Sequence, residues 1–350
     1  MMIKKIINLL MKKLFKKQVS MEVLFEKWLN MKASEGRVKA VTLQNYERQI
    51  SLHIRPALGH YNISVVDKEM IQKFVDNLVK EKKLKPTTIR NIFGRLSEIM
   101  QYAVREDMIN TSPCSAVRLP RGENKVGKAL SLDEQASIEE TLKSQNTPHK
   151  IAVQLALHSG LRISEITALR WKDIDFQKGF IYVQHSFKRV SKDKEGKKTF
   201  LHLGSPKSKN SVRSIPMTAQ IKICLEKYYK TLNFLQNKDE SFVVCKKNGD
   251  FYDVRAIQRY FSKLCQVAGI GQYHFHDLRH TFATNAKESG IDIQLISEIL
   301  GHAHTTTTMN IYLHPSDNYK KEEIKKMDES SKKEYLKAKN TIEKIYLKAI

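Results

Sequence analysis

The sequence predicts a mainly α-helical protein with a small antiparallel sheet, divided into a helical first domain and a mixed α/β second domain. Three observations carry this. Four stretches between residues 20 and 118 repeat apolar residues every three or four positions. Residues 118–129, RLPRGENKVGKA, lose that rhythm and hold Pro120, Gly122 and Gly127. Beyond them, short strand-like runs at 180–187, 199–203 and 211–215 are set among helical ones. A length of 350 residues accommodates two domains.

Taken in order, residues 1–19 read as a basic extension: the first twenty residues hold six lysines and no acid. The apolar stretch Ile6-Ile7-Asn8-Leu9-Leu10-Met11 is short and no small-residue cleavage site follows it, which argues against a signal peptide. A frayed extension and a basic helix lying on DNA or a membrane remain as readings of it. The helical domain spans 20–117. Ser20 is placed to cap a helix with Met21, Leu24, Phe25 and Trp28 on one stripe. Thr42 starts a second, with Leu43, Tyr46 and Ile50; Asp67 caps a third, with Met70, Ile71, Phe74, Val75 and Leu78. Thr87, after Pro86, starts a fourth, with Ile89, Ile92, Leu96, Ile99 and Ala103. Residues 118–129 form the linker. Ser131 and Glu134 then have the spacing of a capping box, opening a second domain over 130–316. Its helical pattern over 131–172 is interrupted at Gly160. Its strands are joined by lysine-rich turns, and helical pattern returns at 220–229, 253–267, 276–289 and 292–300. Residues 317–350 read as a helical tail, with Ile342, Ile345, Tyr346 and Ala349 on a short apolar stripe.

The chain carries 61 Lys and Arg against 37 Asp and Glu, a formal charge of +24. Such an excess points to a polyanionic partner, nucleic acid or an acidic membrane surface, rather than to small-metabolite chemistry. A hydrophobic content of 41% supplies a core and excludes a disordered basic tail. Cys114, Cys224, Cys245 and Cys265 have neither zinc-site nor disulfide-framework spacing, as expected of a reduced, cytoplasmic protein. No apolar run approaches the ~18 residues of a membrane span.

Four short motifs carry chemistry. In Gly160-Leu161-Arg162-Ile163-Ser164-Glu165, Gly160 suits a helix stop and Ser164 a cap for the next helix. Arg162 would then sit in a tight joint near a helix N-terminus, where amides and guanidinium converge on an anion, or else pair with Glu165 on the surface. In His276-Asp277-Leu278-Arg279-His280-Thr281-Phe282, helical spacing puts His276 and Arg279 on one polar face, with Leu278, Phe282 and Ala286 on the core stripe. His276 and His280 have metal-ligand spacing, but no Glu lies between them and Arg279 would set a positive charge beside the ion, so no metal is expected. Leu300-Gly301-His302 ends a helix at a glycine suited to the left-handed stop, fixing His302 just outside it. Ten residues on stands Tyr312, which by itself reads as a half-buried packing tyrosine.

In this order the motifs resemble the tyrosine recombinase (phage integrase) family, its phage or mobile-element integrase branch. The matching stretches are HSGLRISEITALRW, SPKSKNSVRSIP, HFHDLRHTFAT and LGHAHTTTTMNIYLHP, preceded by KPTTIRNIFGRLSEIMQYAVREDMI, similar to the family's core-binding domain. The resemblance covers about residues 20–315; the arm-type DNA-binding domain of many integrases is not evident ahead of it.

The resemblance implies a SAM-like helical core-binding domain followed by a mixed α/β catalytic domain. It implies a DNA strand transferase that attacks a phosphodiester through a tyrosine, leaving a 3′-phosphotyrosyl bond and a free 5′-hydroxyl. Carried over position by position, Tyr312 is the nucleophile, Arg162 and Arg279 stabilise the oxygens of the phosphorane, and His302 donates a further hydrogen bond. His276 is the general base, and a lysine in the turn before the last strand protonates the leaving oxygen. Lys207 is preferred over Lys209 because it follows the second strand as the family's lysine does. No cofactor or metal is implied. The implied partners are double-stranded recombination-site DNA, an accessory directionality factor, and three further copies in a homo-tetramer on two sites, the free protein being a monomer or weak dimer. Exchange of the 317–350 tail between subunits is the expected link in that assembly. Two rivals remain: a type IB-like topoisomerase sharing this chemistry, and a DNA-binding regulator whose catalytic-looking residues are inert.

Overall fold

The computed structural model describes residues 19–122, 127–191, 199–204, 211–232 and 237–302, with Thr306 and Lys325. Lys207, Lys209, Tyr312, the basic extension up to residue 18, linker residues 123–126 and the expected tail stripe lie outside the described residues. The chain is mainly helical with a small antiparallel sheet and divides into two compact units. One is built on residues up to 125 with 189–200, the other on 126–188 with those from 201 onward.

In the first unit, α1 (Met21–Ser34) begins where Ser20 Oγ accepts the Val23 amide, and it buries Met21, Leu24, Phe25 and Trp28. α2 (Ala40–Gln49) starts two residues earlier than the Thr42 start expected from sequence, with Lys39 at the cap. It runs on through a π-turn, Ile50–Ile54, into α3 (Arg55–Leu58). Pro56 accounts for the widened ladder: it has no amide to give to the Leu52 carbonyl four residues back, and its ring crowds it. Lys82 Nζ donates to that carbonyl instead, at 3.4 Å. α4 (Lys68–Lys80) is capped by Asp67, whose Oδ1 accepts the Met70 amide at 2.8 Å. α5 (Pro86–Arg105) has Pro86 in its first turn, where the missing amide costs nothing, and buries Ile89, Ile92, Leu96, Ile99 and Ala103.

The first part of the linker is bound to this unit. Gln72 takes the Arg118 amide (2.8 Å) and donates to its carbonyl (3.2 Å), while Arg90 Nη2 donates to the Pro120 carbonyl (3.0 Å).

The second unit opens with α6 (Leu132–Lys143), where Ser131 and Glu134 form the reciprocal capping box. α7 (His149–Ser159) is apolar nearly all round: Ile151, Ala152, Val153, Leu155, Ala156 and Leu157 are buried. Lys150, Gln154 and His158, spaced four apart, leave it only a narrow, partly buried polar edge, so it runs largely through the core. The one-turn α8 (Ile163–Ile166) follows. β1 (Ile174–Asp175), β2 (Phe180–Val183) and β5 (Arg213–Pro216) make an antiparallel sheet in the order β1-β2-β5, with Ile181 opposite both Ile174 and Ile215. β3 (Ser186–Ser191) and β4 (Thr199–Gly204) pair separately. The single strand expected over 180–187 is therefore two: the chain leaves the sheet at Gln184-His185 to begin the ribbon. α9 (Ala219–Thr231), α10 (Val254–Val267), α11 (Phe275–Glu288) and α12 (Ile293–Leu300) complete the unit. Among the described residues no helix is long and apolar enough to cross a membrane.

Candidate active site

Two helix ends build the site. α7 stops at Gly160 (φ 63°) and α12 at Gly301 (φ 64°), both left-handed, as glycine permits. Gly160 is also hemmed in: a Cβ there would lie 2.5 Å from Phe282 and 2.7 Å from Leu300. The last carbonyls of a helix have no partner within it and carry the negative end of its dipole. At the end of α12 three successive carbonyls are taken by three different arginines. Arg213 Nε donates to Ile299, Arg279 Nη2 to Leu300 (2.6 Å) and Arg162 Nη2 to Gly301 (3.1 Å). Arg279 Nη1 also reaches the Gly160 carbonyl at the end of α7 (2.7 Å). Three like charges are thus gathered by the ends of two helices, and His302 follows directly on the last carbonyl.

The joint at α8 differs from the sequence expectation. Arg162, not Ser164, occupies the cap, and Ser164 lies inside the helix. Glu165 reaches back to the Arg162 amide (2.9 Å) and accepts from Arg162 Nη1 (2.8 Å). This is not a surface pair, because Glu165 is only 3% exposed. What makes burial of the carboxylate tolerable is Arg213, which donates to both its oxygens, at 3.2 and 3.0 Å. Burial pushes the Glu165 carboxyl up, but the Arg213 bonds and the Arg213 and Arg162 charges outweigh it and hold it below its ordinary value. Neither Arg213 nor the depth of Glu165 was legible. Arg213 follows a lysine-rich run and was not singled out within SPKSKNSVRSIP.

Arg279 also departs from its expected setting. It is 3% exposed, buried against the two helix ends rather than presented on an open polar face. Burial and then Arg162 push its proton affinity well below the ordinary guanidinium value, Glu165 opposing; an arginine nonetheless stays a cation at neutral pH. His276, on the first turn of α11, is exposed along one edge. Its proton affinity falls to about 4, through the protein packed around it and then the charges of His280, Arg279 and Arg162, with Asp277 pulling the other way. His302, half-buried, falls to about 3 through burial, then Arg279, Arg162, His276 and Arg213. Both imidazoles are therefore neutral at neutral pH, with one ring nitrogen to accept and one N–H to donate.

Of the six residues singled out in the sequence, the structure brings together Arg162, His276, Arg279 and His302. Their common surroundings are positive, with guanidinium donors converging and neutral imidazoles beside them. Such a set binds a tetrahedral oxyanion and can add charge compensation as negative charge grows on it.

Comparison with known proteins gives the class. Residues 128–319 match the phage integrase family and residues 21–79 the phage integrase N-terminal SAM-like domain. The chain belongs to the phage integrase family, the tyrosine recombinases, and is a site-specific recombinase. A tyrosine recombinase XerC-like protein of Caldanaerobacter subterraneus subsp. tengcongensis is 28% identical over 294 residues, covering 79% of this chain and 74% of its own. Tyrosine recombinase XerC of Proteus mirabilis is 25% identical over 287 residues, covering 80% and 85%. Among solved structures, the integrase of transposon Tn1549 in complex with transposon right end DNA shares the fold with a TM-score of 0.74 at 23% identity, over 89% of this chain and all of that one. A lambda integrase dimer bound to a core site does so with a TM-score of 0.64 at 20% identity, over 87% and 80%.

Proposed function

We propose that this recombinase integrates or excises a mobile element by cutting and rejoining DNA strands through a 3′-phosphotyrosyl bond at Tyr312. Residues 20–117 act as the core-binding domain and 130–316 as the catalytic domain, the two closing on duplex DNA in the cytoplasm. The single observation that carries the reading is the convergence of Arg162 and Arg279 on neighbouring carbonyls beside His302. That arrangement suits one phosphate, and two further facts support the wider proposal. The Tn1549 integrase is seen with transposon end DNA, and lambda integrase is seen as a tetramer bound to a Holliday junction.

In the proposed reaction the Tyr312 oxygen attacks the scissile phosphorus while the bond to the 5′-oxygen breaks. Arg162, Arg279 and the N–H of His302 take the negative charge that builds on the non-bridging oxygens. His276 accepts the phenol proton; a bound phosphate among the arginines offsets their charge and raises the imidazole's affinity for it. Lys207 gives a proton to the departing 5′-oxygen. Resealing reverses each step: a 5′-hydroxyl attacks the phosphorus, the bond to Tyr312 breaks and the phenol regains its proton. The bond energy is conserved throughout, so no nucleotide is consumed. The tail, residues 317–350, holds neighbouring subunits of the tetramer together.

A library of nicked duplexes of random sequence, screened for covalent capture by the full-length protein, tests this. Wild type should retain a defined subset of duplexes and Tyr312→Phe none, although it binds that subset. Capture by Tyr312→Phe would remove the assignment. Relaxation of plasmids lacking the captured sequence would favour a topoisomerase instead.

A further inference from the structure

Arg213 lies within the matching stretch SPKSKNSVRSIP but was given no role there, yet it is among the most constrained side chains of the site. Its side chain is 5% exposed. It makes a fork to both oxygens of Glu165 and also donates to the carbonyls of Ile299 and Ser211. It opens β5, opposite Val183, directly after the segment that carries Lys207. Glu165 is shared: the Arg213 guanidinium faces both carboxylate oxygens, while the Arg162 guanidinium donates to one of them, through Nη1, beside the bond from the Arg162 amide to the other.

A buried carboxylate seeks a paired, bidentate cation. Were Arg213 absent, the strongest cation left beside Glu165 would be Arg162, and a fork between those two would turn the Arg162 donors away from the substrate. We propose that Arg213 is a positioning residue that engages Glu165 and so keeps Arg162 available to the scissile phosphate. The inference rests on the role of Arg162 proposed above. By holding the Ile299 carbonyl as well, Arg213 ties the end of the helix before His302 to the strand after the lysine segment. One side chain therefore registers three parts of the site.

The test uses the full-length protein and a duplex obtained by the covalent capture above, with single-turnover cleavage at saturating enzyme as readout. Arg213→Lys keeps the charge but loses the fork. It should melt near wild type, bind the duplex as tightly, and cleave roughly 10–100-fold more slowly, the scale of a small misplacement of a catalytic group. Two readouts separate positioning from mere support. The first is a duplex with a methylphosphonate at the scissile position, which lacks one anionic oxygen and asks less of Arg162; there the Arg213→Lys defect should shrink, as that of Arg162→Ala should. The second is Glu165→Gln added to Arg213→Met. It removes the carboxylate that captures Arg162, and it should cleave faster than Arg213→Met alone. A double variant no faster than the single, or a defect of equal size on both duplexes, overturns the inference. Cleavage by Arg213→Lys at the wild-type rate overturns it too, and leaves the proposed function standing. If wild type forms no covalent product on any duplex, the proposed function fails and this role with it. If Arg213→Met does not fold, Arg213→Lys on the two duplexes decides alone.

Discussion

The two units treat polarity in opposite ways. In the first, the described buried residues are apolar, and ion pairs such as those of Arg55 with Glu22 and Glu26 lie at the surface. In the second, the buried set includes Glu165, Asp173, Arg279, Thr281 and Ser297, and every buried polar or charged residue among those described falls there. The first unit is held by what water rejects. The second also buries groups that water would hold, each stabilised only by its partners. Stability and function are separable in the first and entangled in the second.

The sharpest way to break this comparison is to truncate an arginine in the second unit. Arg279→Ala leaves the carbonyls of Gly160 and Leu300 without their donors. Each buried orphan costs about 1–3 kcal/mol. Losing a donor to the developing oxyanion costs a further ~10²–10³-fold in cleavage. Denaturant unfolding and covalent capture should therefore both report the change. A variant inactive but as stable as wild type would mean that the two helix ends do not depend on Arg279.

The same contrast explains what was legible. Helical spacing and caps at Ser20, Asp67 and Ser131 locate the helices, because each rests on a local rule: an apolar stripe and a side chain within three residues. Thr42 misled because a helix start without a side-chain cap, as at Lys39, leaves no mark in the sequence. Gly160 and Gly301 were legible as stops for the same local reason. Arg213, by contrast, meets Glu165 across 48 positions and Ile299 across 86. Nothing in its neighbourhood separates it from the lysines before it. Burial of Arg279 was hidden likewise, because helical spacing says which residues share a face but not what covers it.

Next in size is a pair of glycines with nearly the same backbone. Gly36 in the first unit (φ 65°) has nothing within 4 Å of where a Cβ would stand, whereas Gly160 (φ 63°) faces Phe282 and Leu300. Gly36→Ala should lose about 1–2 kcal/mol, the cost of left-handed backbone alone. Gly160→Ala should add about 1–3 kcal/mol of overpacking and displace Arg279's acceptor, so that cleavage falls as well. Equal losses at the two sites would show that the α7 end has room to relax.

Acid should unsettle the second unit first. The folded-state values of His276 and His302, about 4 and about 3, lie below the ordinary 6.5. Between roughly pH 6.5 and 3 the unfolded chain takes up protons that one or both of these folded imidazoles refuse. Stability therefore falls with pH across that window and levels off below it. Hydrogen exchange should show α11 and α12 losing protection across that window. The acid limb of kcat/KM should lie near 4, since it reports the free enzyme. A limb at 6.5 would mean that neither burial nor the neighbouring charges hold His276 down.

The smallest effect belongs to the first unit's surface. Arg55 contacts Glu26 at 2.7 Å and Glu22 at 3.1 Å, with all three side chains at least one-third exposed to water. Its geometry is as close as that of Arg162 with Glu165, at 2.8 Å, so distance does not distinguish the two pairs. Burial does. Around Arg55 water competes for both partners and salt screens what remains, so Arg55→Ala should lose about 0–1 kcal/mol, less at high ionic strength. Around Glu165 no water competes, and removing Arg213 strands a charge. Unfolding of Arg55→Ala and Arg213→Met at low and at 1 M salt measures the contrast directly, with the first difference vanishing in salt and the second persisting. If both vanish, the Glu165 pair is reached by solvent ions, and the division between a wet surface and a dry site does not hold.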